Sequence, residues 1–163
     1  MAVSKRLALD TNVLFDRANE ERFAKDFFKI FGDKGYSFEV PPTVIAELAF
    51  FQAKGSEREK RVAGIALRSM LGWGAAPVVL TDLQKSYKKN FIDIAEKARL
   101  LPPTERNDLQ ILAETAIKNI PAFVTSDRAL LDVDHVKLQL AFQNAGLASV
   151  MIVHPERMVR ALR

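Results

Sequence analysis

Four acids stand at the tips of strand-like segments or in otherwise apolar helical stretches. Asp10 closes the run Leu7-Ala8-Leu9, Glu47 is the sole charge in Val44–Phe51, Asp108 opens a helical stretch continuing Leu109-Gln110-Ile111-Leu112, and Asp127 ends Ala122-Phe123-Val124-Thr125-Ser126. Carboxylates gathered in one cleft raise each other's pKa, and a divalent cation relieves that repulsion. The chain has no cysteine, and its two histidines, His135 and His154, do not have ligand spacing. An all-oxygen donor set points to Mg²⁺ or Mn²⁺ rather than zinc. Two such ions roughly 3.5–4 Å apart activate a water and stabilise the leaving oxygen of a phosphodiester in an in-line displacement. Each acid also has a plainer reading. Glu47 can face solvent, Asp108 suits a helix's first turn through the dipole, and Asp127 can cap the turn after it.

Other chemistries lack their residues. There is no glycine-rich phosphate loop. A phosphatase of the haloacid dehalogenase type needs Asp-x-Asp after its first strand, and Asn12 stands at that third position. A receiver domain needs adjacent acids before the end of strand one, where Lys5 and Arg6 lie. The lack of cysteine excludes disulfide frameworks and thiol catalysis.

The elements that would carry the acids alternate between strand and helix. Strands are expected at 6–10, 36–40, 77–81, 122–127 and 149–153. Helices are expected at 16–31, after Pro41-Pro42-Thr43, at 55–71, at 83–100, around Asp108 to Ile117, from Asp134 to Asn144, and from Pro155 onward. Phe23, Phe27 and Phe31 share one helical face, as core or as a dimer interface. In the 83–100 helix the apolar side is Leu83, Tyr87, Phe91, Ile94, Ala95 and Ala98; in the helix capped by Asp134 it is Val136, Leu140, Ala141 and Ala145. Trp73, between two glycines, reads as a packing plug. This alternation predicts one α/β domain over 1–163, with a doubly wound parallel sheet. Working residues of such sheets lie just beyond the carboxyl ends of the strands, where Asp10 and Asp127 fall.

The 24 basic and 20 acidic residues give a formal charge of +4. If four of the acids share one cleft, the surface outside it is more strongly basic and suits a polyanion. No apolar run approaches the ~20 residues of a membrane span, and the N-terminal residues do not resemble a signal peptide. A cytoplasmic protein with no membrane association is expected.

Four segments together carry a family resemblance. Leu9-Asp10-Thr11-Asn12-Val13, Pro42-Thr43-Val44-Ile45-Ala46-Glu47-Leu48, Asn107-Asp108-Leu109-Gln110-Ile111-Leu112-Ala113 and Val124-Thr125-Ser126-Asp127 resemble the motifs of PIN-domain ribonucleases. VapC-type toxins of toxin–antitoxin pairs are the nearest subgroup in style, and the likeness spans essentially the whole chain. It implies a three-layer α/β/α sandwich with a parallel sheet of about five strands in the order 3-2-1-4-5. It implies Asp10, Glu47, Asp108 and Asp127 as catalytic metal ligands, directly or through water. Thr11 or Ser126 would hold a metal-bound water, and Asn12 would orient Asp10. The implied activity is Mg²⁺- or Mn²⁺-dependent endoribonuclease cleavage leaving 5′-phosphate and 3′-hydroxyl ends, with an antitoxin partner and a homodimer. Arg58, Arg61, Lys85, Lys88, Lys89 and Arg128 are the candidate phosphate contacts. One departure is the 82–106 segment, longer than in compact toxins and carrying a basic helix. Two rival readings stay open: a non-catalytic PIN-like module binding nucleic acid or protein, and a nuclease of DNA flaps or ends.

Overall fold

Apolar strands that flank one another without interruption must be covered on both faces, and this chain covers them with helices. The computed structural model describes residues 4–162. Strands β1 (Arg6–Leu9), β2 (Ser37–Val40), β3 (Ala75–Pro77), β4 (Ala122–Val124) and β5 (Met151–Val153) form one sheet in the order 3-2-1-4-5. All four pairings are parallel. Helices are α1 (Thr11–Ala18), α2 (Arg22–Asp33), α3 (Pro42–Lys54), α4 (Glu57–Ser69), α5 (Asp82–Lys97), α6 (Arg106–Ile117), α7 (Arg128–Leu131), α8 (His135–Asn144) and α9 (Pro155–Arg160). One group, α1, α2, α4 and α9, packs together, as does a second, α5, α6 and α8, while α3 touches α1, α4 and α6. The result is the three-layer α/β/α architecture expected from the sequence.

The register places the site. Leu9 pairs with Val124 across β1 and β4, so Asp10 and Thr125 leave the sheet side by side. The Asp10 amide donates to the Val124 carbonyl (3.0 Å), carrying the pairing to the strand tip. Strand order reverses here, because β1 lies between β2 and β4, and ligands of open parallel sheets bind at that point.

Several boundaries differ from the sequence reading. The helix expected at 16–31 is two helices, and the first begins at Thr11, directly after Asp10. The break lies at residues 19–21, where Glu20 adopts a left-handed φ of 59°. The phenylalanine spacing identified only the second helix. Of the stripe, Phe27 and Phe31 are buried core, with Phe27 and the neighbouring Phe28 packed on Phe38 of β2, while Phe23 is half-buried. Trp73 meets Phe28 edge-on, with the Arg17 guanidinium 4.8 Å from its ring centroid, as befits a packing plug. Gly74, at φ 82°, turns the chain from there into β3, a conformation costly for other residues. β3 pairs over 75–77 rather than 77–81; Pro77 is tolerated on this edge strand, and Thr81 already caps α5 in a capping box with Gln84.

Two helix faces also differ. On α5 the buried residues are Phe91, Ile92 and Ala95, while Leu83, Tyr87 and Ala98 are exposed. On α8 they are Leu138, Ala141 and Phe142, and Val136 and Leu140 point to solvent. Phe91 and Phe142 stack at 4.9 Å, which sets the rotation of both helices and turns those apolar residues outward. Among the described residues no helix is long and apolar enough to cross a membrane.

Candidate active site

Asp10 is 4% exposed and fixed by neutral donors. Its Oδ1 accepts from the Thr11 amide (2.8 Å), capping α1. Its Oδ2 accepts from the Thr125 hydroxyl (2.7 Å) and the Asn12 amide nitrogen (3.1 Å). Thr125 Oγ1 in turn accepts from the Asp127 amide (3.0 Å), and Asn12 Oδ1 accepts from the Ser126 amide (3.1 Å). The two strand tips are thus stitched together by short polar side chains, Asn12 among them. Burial pushes the Asp10 carboxyl up to about 6; the Thr125 and Thr11 hydrogen bonds oppose this, and the charges of Glu47 and Asp127 add to it.

Glu47 reaches the same place from the second turn of α3. Its Oε1 accepts from the Thr11 hydroxyl (3.0 Å), and Asn107 also hydrogen-bonds it. Burial raises its pKa against those two bonds, with the Glu114 charge assisting. Asp108, in the first turn of α6, is pushed up to about 8 by burial, then by its hydrogen bond with Glu105 and by the charges of Asp10 and Asp127. Its Oδ2 is buried and has no hydrogen-bond partner among the described residues. Asp127 Oδ1 accepts from the Ala129 amide (2.8 Å), so Asp127 does cap the short α7 while facing the other acids.

The four expected acids therefore converge, and a fifth joins them. Oxygens of Glu105, Asp108 and Asp127 lie within 4.8 Å of one another, a spacing suited to a cation. Glu105 escaped notice because it lies in a proline-bounded turn, although one helical turn before Asp108 is where a companion acid belongs. Among the described residues, no ion pair joins Asp10, Glu47, Asp108 or Asp127 to a lysine or arginine. An orphaned buried carboxylate oxygen among mutually repelling acids fits a hard divalent ion.

Sequence reasoning also missed Glu114, which is completely buried. Its carboxylate accepts from the Thr43 amide (2.9 Å) and hydroxyl (2.7 Å) and from Lys88 Nζ (3.1 Å). It binds the N-terminus of α3 to α6, and so fixes Glu47 relative to Asp108. Thr43 lies in the first turn of α3, and its hydroxyl serves Glu114. This corrects the expectation for Lys88, which is half-buried and paired with Glu114 rather than free for a phosphate. Lys85, weakly paired with Asp82, and Lys89, Arg58, Arg61 and Arg128 are exposed. Arg128, next to Asp127, lines a polar cleft with Ser126, His154 and Arg157. Arg61 lines a separate one with Arg17 and Trp73. His154 Nδ1 accepts from the Glu156 amide (3.1 Å) and caps α9.

No family model and no curated protein matches this sequence. Solved structures do match in shape. A chain of the VapBC2 structure from Rickettsia felis, bound to a DNA fragment from its promoter, aligns with TM-score 0.64 and 16% identity, covering 91% of this chain and 98% of that one. A chain of the VapBC-1 structure from nontypeable Haemophilus influenzae aligns with TM-score 0.57 and 13% identity, covering 92% and 98%. With the sheet order 3-2-1-4-5 and helices on both faces, the chain has a PIN-like α/β/α fold, shared in shape with those two chains.

Proposed function

We propose that this protein is a metal-dependent endoribonuclease, the toxin of a toxin–antitoxin pair. The observation that carries the reading is the convergence of Asp10, Glu47, Asp108 and Asp127 at the switch point of the sheet, with a buried Asp108 oxygen that has no hydrogen-bond partner among the described residues. These four acids, with Glu105, would hold Mg²⁺ or Mn²⁺. Such ions supply an activated water and stabilise the leaving oxygen of a phosphodiester.

The chain's own contribution is positioning. Thr125 and Asn12 fix the Asp10 carboxylate, Thr11 and Asn107 fix Glu47, and Glu114 locks α3 against α6. Preset donors of this kind remove reorganisation from the reaction step. Thr11, whose hydroxyl already donates to Glu47, or Ser126 would hold a metal-bound water. Arg58, Arg61, Lys85, Lys89 and Arg128 remain exposed cations for a phosphate backbone. Leu83 and Tyr87 on α5 and Val136 and Leu140 on the adjoining α8 are apolar and exposed, which supports a protein partner, an antitoxin or a second copy.

The test is cleavage of parallel single-stranded RNA and DNA substrates with Mg²⁺, Mn²⁺ or chelator. RNA cleavage that needs metal, leaves 5′-phosphate ends and disappears in Asp10→Asn is expected. Undiminished cleavage in chelator, or by Asp10→Asn, would refute the metal mechanism; preference for DNA would move the protein to the flap or end nucleases.

A further inference from the structure

Beside the acids, α3 and α6 leave a pocket of about 500 Å³. Glu47 belongs to its lining, so the pocket opens onto the acid cluster. One wall is Phe50, one helical turn beyond Glu47 and 59% exposed. Phe51 braces it from behind, with ring centroids 5.9 Å apart edge-to-face, and Phe51 rests in turn on Phe15 at 5.4 Å. Facing it are the side-chain amides of Asn107 and Gln110, from the helix that carries Asp108.

Both amides are oriented yet keep capacity. Gln110 Nε2 donates to Asn107 Oδ1, and Gln110 Oε1 accepts from Lys88, each at 3.4 Å. Asn107 also hydrogen-bonds Glu47. A carboxamide offers two donors and two acceptor lone pairs, so each retains sites for a ligand. A braced, exposed aromatic face opposite two amides matches one chemistry well, a flat ring with donors and acceptors on its edge. Unpaired nucleobases are bound in this way, stacked on an aromatic side chain and read along an edge by polar groups. An apolar side chain of a partner protein would use Phe50 but leave both amides without a role.

We infer that this pocket is a nucleobase subsite, in which Phe50 stacks on an unpaired base of the substrate strand next to the scissile phosphate while Asn107 and Gln110 read its edge. The inference rests on the proposed nuclease reading and adds a requirement to it. The nucleotide seated here must be out of a helix, so the substrate is a single strand or a loop.

The test uses the full chain with short single-stranded oligoribonucleotides carrying one 2-aminopurine, moved through each position, with Ca²⁺ to neutralise the acids. Wild type should quench the fluorophore at one position through stacking. Phe50→Ala should lose that quench and bind about tenfold more weakly, about 1.4 kcal/mol, and Phe50→Trp should restore both. An abasic residue at that position should lower wild-type affinity similarly and leave Phe50→Ala unchanged. Position-independent fluorescence, an unaffected Phe50→Ala, or equal binding of the same nucleotide inside a duplex would overturn the inference and leave Phe50 to a protein contact. Cleavage in Mn²⁺ is scored separately. A Phe50-dependent quench without cleavage would retain the subsite and refute the nuclease, whereas cleavage indifferent to Phe50 would do the reverse.

Discussion

Replacing Asp10 by Asn should make the metal-free protein more stable at neutral pH while removing its ability to gain stability from metal. The Asp10 carboxyl lies at about 6 against 3.8 unperturbed, driven first by burial. A carboxyl whose folded pKa is raised contributes stability that is complete below the unfolded value and lost as pH rises through the folded one. At about 1.4 kcal/mol per unit, the shift removes about 3 kcal/mol by pH ~8. Asn stays neutral, but its nitrogen cannot accept from Thr125 and Asn12 as Oδ2 does, a loss of roughly 1–1.5 kcal/mol. The net gain in chelator at pH ~8 is about 1.5–2 kcal/mol, or roughly 4–6 °C in Tm for a chain of this size. At pH ~4 the order should reverse, because wild-type Asp10 is then largely protonated and carries no buried charge, while the Asn nitrogen still faces the Thr125 and Asn12 donors. Saturating Mn²⁺ should reverse it at pH ~8 as well, since binding at ~100 times Kd adds about 2.7 kcal/mol to the wild type alone. Urea unfolding and thermal melts in chelator and in Mn²⁺ measure all of this. A variant less stable than wild type in chelator at pH ~8, or equal stabilisation of both by Mn²⁺, would refute the view of Asp10 as an acid held against its own charge.

Thr125→Val removes the donor to Asp10 and the acceptor for the Asp127 amide; Mn²⁺ affinity by calorimetry should fall roughly 10–100-fold, with a stability loss of about 1–3 kcal/mol. Glu114→Ala strands Lys88 and the Thr43 amide and should cost about 3–5 kcal/mol in urea unfolding. Combining it with Lys88→Met should recover part of that, because no charge is then left unpaired; strict additivity of the two losses would contradict the pairing.

The four acids were legible because Asp10 and Asp127 end strand segments, Glu47 interrupts an apolar helix and Asp108 opens one, and apolar runs are what parallel strands and their covering helices require. Strand order was legible only through the four motifs together, since composition and periodicity do not say which strands pair. The boundary at Thr11 was hidden because the phenylalanine spacing that marks α2 begins later, and a left-handed Glu20 has no signature in sequence. Val136 and Leu140 were assigned inward because an i, i+4 apolar pair fits a buried face as well as an exposed one; the Phe91–Phe142 stack decides the rotation, and it lies between elements far apart in the chain. Glu114 was invisible for the same reason. Within Leu112-Ala113-Glu114-Thr115-Ala116 it reads as the solvent side of a helix, until Lys88 and Thr43 arrive from two other helices.

Those partners also decide between the two meanings of a carboxylate at a strand tip. A capping or structural acid is satisfied by its own surroundings, and Glu114 is the example: completely buried, with two hydrogen bonds from Thr43 and a lysine beside it. The site acids are treated differently. Asp10 and Glu47 receive only neutral donors, Asp108 keeps an oxygen with none, and among the described residues no lysine or arginine pairs with them. Neutral donors fix direction but leave the negative charge uncompensated, which is why burial and mutual repulsion lift Asp10 to about 6 and Asp108 to about 8. Lys88, a half-buried cation on α5, is bound by Glu114 and thereby withheld from the cluster. A fold that supplies a buried acid with a cation in one place and withholds it from the converging acids nearby has kept those acids available for a positive charge from outside the chain. Capping accounts for Asp10 Oδ1 and Asp127 Oδ1, but not for Asp108.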